Sequence, residues 1–220
     1  MSITSYFTQT RIAWKEAWKS SNFKFHFFFT LALILGLTQF FPHFFDYLEA
    51  RNGTRLNDPL LNLIPPNDVS MLVFFFLYTG VLICFMANLI HPRHLVLAFQ
   101  TYAFVTMMRI VSLYFVCLEP PFGYIELGEP VLSNFFTTHG KICSKDLFFS
   151  GHFSSILSIY FSVTQKKYKY ILLVFSIMVA VLVLVQHVHY TIDIVAALPF
   201  TWLCYWFSKK LVLKNGVERV

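Results

Sequence analysis

Charge is scarce in this chain. Only 13% of its 220 residues are Asp, Glu, Lys or Arg, roughly half the share found in an ordinary soluble domain. That shortage argues against a water-soluble fold, and it changes how the net charge of +6 is read. In a membrane protein the placement of Lys and Arg carries more information than their sum, so the excess is not a nucleic-acid signal. Cysteine is equally sparse. Cys84, Cys117, Cys143 and Cys204 show no metal-site spacing. Cys84 and Cys204 fall in apolar runs, as packing residues do. Cys117 and Cys143 flank one loop, where a disulfide is the less favoured alternative to two thiols. No apolar core precedes Phe23, so no cleavable signal peptide is expected. No internal repeat of the kind seen in many transporters is visible. No polar stretch is long enough to fold separately, and no extra N-terminal interaction domain is expected.

What is present is apolar. Hydrophobic residues make up 57% of the chain and phenylalanine alone contributes 27 positions; the mean hydropathy is +0.62. Several runs approach the length of about 20 residues that crosses a bilayer. The expected fold is an all-α integral membrane protein with six transmembrane helices. The spans are 23–41, 69–90, 95–118, 147–163, 170–186 and 190–207, the last two forming a tight antiparallel hairpin. Residues 1–22 then form an N-terminal cytoplasmic or interfacial segment, 23–207 the membrane domain, and 208–220 a basic tail. Trp14 and Trp18, at helical spacing among Lys15 and Lys19, suit a helix lying on the membrane; an ordinary cytoplasmic lead-in is the alternative.

Basic residues orient the bundle. Arg11, Lys15, Lys19 and Lys24 precede the first span, and Arg93 lies between the second and third. Lys166, Lys167 and Lys169 lie between the fourth and fifth, and Lys209, Lys210, Lys214 and Arg219 follow the sixth. With six spans these groups share one side, which the positive-inside rule makes cytoplasmic, together with both termini. The opposite side receives Asp46, Glu49, Asp58 and Asp68 in one connection and Glu119, Glu126, Glu129 and Asp146 in another. Its few basic residues are Arg51, Arg55, Lys141 and Lys145.

Three ionisable residues stand at the edges of the last apolar runs: His152, His189 and Asp193. Such groups are expensive in a bilayer and are usually functional there. His189 and Asp193 are four apart, which places them on one face if both are helical. A carboxylate that orients an imidazole, with a second imidazole arriving from elsewhere, suits phosphoryl transfer or hydrolysis. In the six-span topology both motifs reach the same depth at the same outer face. Only His189 has a carboxylate at i+4, which makes it the better nucleophile. The trio lacks Cys and has a single carboxylate at the right spacing, so no metal and no cofactor is expected.

The segment Cys143-Ser144-Lys145-Asp146-Leu147-Phe148-Phe149-Ser150-Gly151-His152 resembles the third signature of the sphingomyelin synthase-like branch of the phosphatidic acid phosphatase type 2 (PAP2) superfamily. His189-Tyr190-Thr191-Ile192-Asp193 resembles the fourth. Pro65-Pro66-Asn67-Asp68 is more weakly similar to the first, and Arg109 with Leu118-Glu119-Pro120-Pro121 to the second. The resemblance implies a PAP2-like helical bundle and three catalytic roles. His189 would attack phosphorus, Asp193 would hold its tautomer and stabilise its charge, and His152 would protonate the leaving alkoxide and then activate the acceptor.

A transferred phosphoryl group needs positive charge around its oxygens. Arg109, the only basic residue well inside an expected span, either reaches the phosphate or pairs with a carboxylate. Lys145 either attracts the head group or is a solvated loop lysine. Gly151 permits close backbone approach, and Ser150 supplies a hydroxyl or caps a helix whose amides face an anion. Asp146 orients His152 or the acceptor, while His187, two before His189, would point elsewhere if helical.

The lipid phosphatase branch usually carries a Lys-rich, Arg-Pro-containing first motif and a Ser-Arg pair shortly before its nucleophilic histidine. This chain has no such first motif and has Leu182-Val183 at the second position, which favours the synthase-like branch. Against that branch, Phe153 replaces a common Thr and Glu119 a common Pro.

The expected activity is transfer of a phospho-head group between membrane lipids, with water as the alternative acceptor and a non-enzymatic scaffold or transporter as the competing class. The expected partners are lipid substrates and the bilayer itself, and no nucleic acid. The expected location is a bacterial inner membrane, with the site facing the periplasm, lumen or exterior. The oligomeric state is left open.

Overall fold

The computed structural model describes residues 3–128 and 143–213; Glu129, Lys141, Lys214 and Arg219 of the charge pattern lie outside them. Seven α-helices and one short 3-10 turn make up the described residues, without a strand. They are α1 (Ile3–Ala17), α2 (Ser21–Glu49), α3 (Ser70–Asn88), α4 (Pro92–Phe115), α5 (Gly151–Ser162), α6 (Lys166–Val185) and α7 (Thr191–Val212). Five of these, α2, α3, α4, α6 and α7, are long and apolar enough to cross a bilayer, consistent with a multi-pass membrane protein. Their outward faces carry large apolar side chains such as Phe25, Leu35, Phe75, Ile177 and Trp202, as lipid contact requires.

The expected fourth span, 147–163, holds a shorter helix than its apolar run suggests. Its helix starts only at Gly151, where the Ser150 hydroxyl accepts the Phe153 N–H at 3.4 Å, and it ends at Ser162. Twelve residues rise only about 18 Å, short of the roughly 30 Å hydrocarbon core. The count of six spans is therefore not reached by helix length. Instead α5 is the centre of the bundle, packed against α3, α4, α6 and α7. Its inner face is a serine ladder. Ser154, Ser158 and Ser162 are at most 1% exposed and donate to the carbonyls four residues earlier at 2.6, 2.8 and 2.8 Å. The hydroxyls are thus satisfied within the helix, and their small size lets neighbours approach closely. Ile156 and Leu157 complete the core with Val73, Leu172 and Val183.

Trp14 of α1 and Trp18 just after it pack against Phe23, and Trp14 Nε1 donates to the Leu89 carbonyl at 2.9 Å. The α2–α3 and α4–α5 connections meet at the other end of the bundle. There Thr54 N donates to Cys117 O and Glu119 N to Thr54 O, both at 3.0 Å. Cys117 and Cys143 are free thiols, so the less favoured disulfide is absent.

Candidate active site

A single backbone hydrogen bond joins the two histidine motifs: Ser150 N donates to Asp193 O at 3.2 Å. The N-terminal ends of α5 and α7 are thereby fixed side by side. His152 is the second residue of α5. His189 is not helical; it lies in the turn before α7, so its relation to Asp193 is not that of two residues on one helix face. Asp193 instead forms a cap. Its Oδ2 accepts the Tyr190 N–H at 2.9 Å and lies 3.4 Å from His189 Nδ1. That separation is an ion-pair distance rather than a well-aligned hydrogen bond. The carboxylate thus lies on the Nδ1 edge of the ring, the edge away from Nε2. The two imidazoles have centroids 6.2 Å apart. Asp193 is 0% and His189 2% exposed, while His152 is half-buried. Among the described residues, Asp193 Oδ1 and His152 Nδ1 have no hydrogen-bond partner.

Arg109 reaches this point from α4. Its Nε donates to Phe149 O at 2.9 Å, and its guanidinium pairs with Asp146. The group is 8% exposed, so its charge is little screened. Gly151 lies directly over it: a Cβ there would collide with the guanidinium. Arg109 thus makes the carboxylate contact that is one of its two sequence alternatives. The same placement also sets the guanidinium beside the first turn of α5, whose amides lack intrahelical acceptors.

The match to known proteins falls on this region. The family described as PAP2 superfamily C-terminal matches residues 143–210. That match supports PAP2 superfamily membership. Superfamily members are phosphatases and phosphotransferases, which supports an enzyme acting at the membrane. The matched stretch holds Lys145, Asp146, Ser150, Gly151, His152, His189 and Asp193; Arg109 lies outside it. No curated protein and no solved structure matches the chain.

Other residues of the candidate site are held by partners that spacing alone does not reveal. Lys145 is neither free nor solvated. It lies 3.0 Å from Glu119 Oε1 with its side chain 12% exposed, and it donates to the Arg51 carbonyl. Asp146 faces Arg109 rather than His152. Asp58 caps α7, accepting Thr191 N at 2.6 Å and the Thr191 hydroxyl at 3.1 Å. Tyr190 donates its hydroxyl to Glu119 O at 2.8 Å. The His187 ring points away from the site, with Nδ1 2.7 Å from Phe122 O and Nε2 2.8 Å from Ile64 O. Asp58 carries no sequence signal for its role, because its partner lies on another segment.

A cavity of about 440 Å³ opens beside His152. Arg109, Asp146, Gly151 and His152 line its polar end, and the rest is walled mainly by apolar side chains of α2, α3 and α4. His189 is not among its lining residues. His152 thus stands between the cavity and His189, with the Phe74 ring packed edge-on at 5.9 Å. Among the described residues no group of three or more His, Cys, Asp or Glu side chains is arranged to hold a metal.

Proposed function

We propose that the chain is a membrane lipid phosphotransferase of the sphingomyelin synthase-like kind. It moves a phospho-head group from a donor phospholipid to a ceramide- or diacylglycerol-like hydroxyl through a phosphohistidine. The observation that carries this reading is the order Asp193–His189–His152, with a carboxylate 3.4 Å behind one imidazole and a second imidazole 6.2 Å in front of it, centre to centre.

In the first half-reaction His189 Nε2 attacks phosphorus and the bond from phosphorus to the donor's alcohol oxygen breaks. Protonated His152 gives its proton to the leaving alkoxide. Asp193 keeps the proton of His189 on Nδ1 and offsets the positive charge that develops on the ring. In the second half-reaction neutral His152 takes the proton of the acceptor hydroxyl. The acceptor oxygen attacks phosphorus, and the electron pair of the phosphorus–nitrogen bond returns to Nε2. Arg109 and the first amides of α5, those of Gly151 and His152, hold the phosphoryl oxygens, while the Ser150 amide stays on Asp193 O. Asp146 positions Arg109. Lys145, tied to Glu119 and Arg51, fixes the rim and biases it towards an anionic head group.

An apolar cavity on the His152 side favours a lipid alcohol over water as acceptor. We further place the site on the non-cytoplasmic face of a bacterial inner membrane, with α5 and its flanking segments completing the six-span path and both termini in the cytoplasm. Thin-layer chromatography of radiolabelled phospholipid, with and without added lipid alcohol, tests the acceptor. Transfer predicts a labelled lipid product that depends on the alcohol. Release of a water-soluble product independent of it establishes the hydrolytic alternative.

A further inference from the structure

The cavity beside His152 has a direction and a length. On α4 its wall runs from Arg109 through Val105 and Tyr102 to Ala98; on α3 it runs from Phe74 through Leu77 and Val81 to Phe85. Each stripe follows helical spacing of three or four residues, so one face of each helix is given to the cavity. The ends of each stripe are eleven positions apart, which at ~1.5 Å per residue is about 16 Å. That is the depth of one hydrocarbon leaflet, about 15 Å or half of the ~30 Å core. At the far end the Phe85 and Phe99 rings meet at 5.6 Å, beside Ala98, which is 5% exposed.

The near end is chemically different. Arg109 and Asp146 form a buried ion pair there, and His152 lines the same end, its Nδ1 buried without a partner among the described residues. The occupant must therefore have an apolar tail about one leaflet deep and a polar end at His152. A water-soluble phosphate ester has no tail to displace the water from such a space. The phosphoryl group would meet only the polar end of the cavity, at Arg109 and Gly151, and His189, which would receive the phosphorus, is not in its wall.

We infer that this cavity is a length gauge for the hydrocarbon tail of the lipid alcohol whose oxygen His152 protonates or deprotonates, with Ala98, Phe85 and Phe99 as its floor. The assignment rests on the phosphotransfer reading for the identity of the polar end, but not for the tail. Tails that reach the floor without crossing it bury the most methylenes, each worth about fourfold in affinity. Longer tails must displace the floor.

The test uses the purified full chain and its Ala98→Trp and Phe85→Ala variants. Each is incubated with an equimolar mixture of diacylglycerols of graded saturated chain length. Lipid retained after washing is read by mass spectrometry, alongside head-group transfer to the same mixture. Ala98→Trp raises the floor and shifts the retained profile towards shorter chains, by about fourfold for each methylene excluded. Phe85→Ala lowers the floor and shifts it towards longer chains. Should Ala98→Trp fail to fold, Phe85→Ala decides alone, because it only removes atoms. An identical profile in the wild type and the folded variants overturns the gauge, as does a shift in the same direction for both variants. Opposite shifts without any transfer leave the gauge standing and remove the phosphotransfer reading. Transfer with a flat profile removes the gauge alone.

Discussion

His189 Nδ1 lies 3.4 Å from Asp193 Oδ2, and the same oxygen accepts the Tyr190 N–H at 2.9 Å. One carboxylate therefore shapes the turn that carries His189 and sets the electrostatics of its ring. The two duties separate by substitution. Asp193→Asn keeps an oxygen for Tyr190 but loses the charge. Its thermal midpoint in detergent should stay near the wild type, while kcat falls by about 10²–10⁴-fold, the range of a misassigned acid–base partner. Asp193→Ala should lose the activity and, in addition, about 1 kcal/mol of cap energy.

Gly151 over Arg109 gives a second prediction. A methyl group there has no room, because the guanidinium fills the position of the Cβ. Gly151→Ala should destabilise the protein by about 1–3 kcal/mol, the usual penalty for overpacking, and should lower kcat as Arg109 is pushed from its place. Denaturant titration and initial rates on the same preparation measure both effects.

The Arg109–Asp146 pair gives a third. Arg109→Gln strands the Asp146 carboxylate, whose side chain is 22% exposed. Breaking a buried pair in this way destabilises by about 3–5 kcal/mol, with the lower end expected here because Asp146 is partly accessible. Adding Asp146→Asn should restore much of the stability and none of the activity. A double variant that recovers turnover would show that Arg109 serves the fold alone.

These contacts show which parts of the protein were legible in its sequence. Apolar runs located the five long helices, because burial in lipid demands continuous hydrophobicity. The same signal overran at 147–163, since the run continues through a cap. Ser150 starts the helix there through a hydrogen bond to Phe153, and apolar composition does not distinguish Leu147 before the cap from Ile156 after it. His152, His189 and Asp193 stood out because charge is rare in this chain. Their geometry did not. The i+4 spacing suggested a shared helix face, whereas His189 precedes the helix and Asp193 reaches back as its cap. Partners on distant loops were hidden altogether: Asp58 caps Thr191 from 133 positions away, and Glu119 meets Lys145 through folding of two connections.

The Glu119 carboxyl carries a pH signature. The Gly53 N–H, donating at 2.9 Å, and then Lys145 hold it below its ordinary value of 4.5. A lowered folded value means that the unfolded chain binds the proton first, so the stabilisation is present above pH 4.5 and is lost as pH falls through the folded value. Thermal midpoints recorded downward from neutral pH should therefore drop below about 4.5 in the wild type. Glu119→Gln should show a shallower drop over the same window. Parallel curves would remove Glu119 as a contributor.

The central claim is that His189 carries the phosphorus. Phosphohistidine survives alkali and is lost in acid, so turnover of phosphorus-labelled phospholipid can be stopped in base and the label mapped to peptides. The account predicts alkali-stable label on the peptide containing His189, absent when His189 is replaced by Gln, and chased off by added lipid alcohol. Label on His152, or continued turnover by the His189→Gln protein, would contradict it.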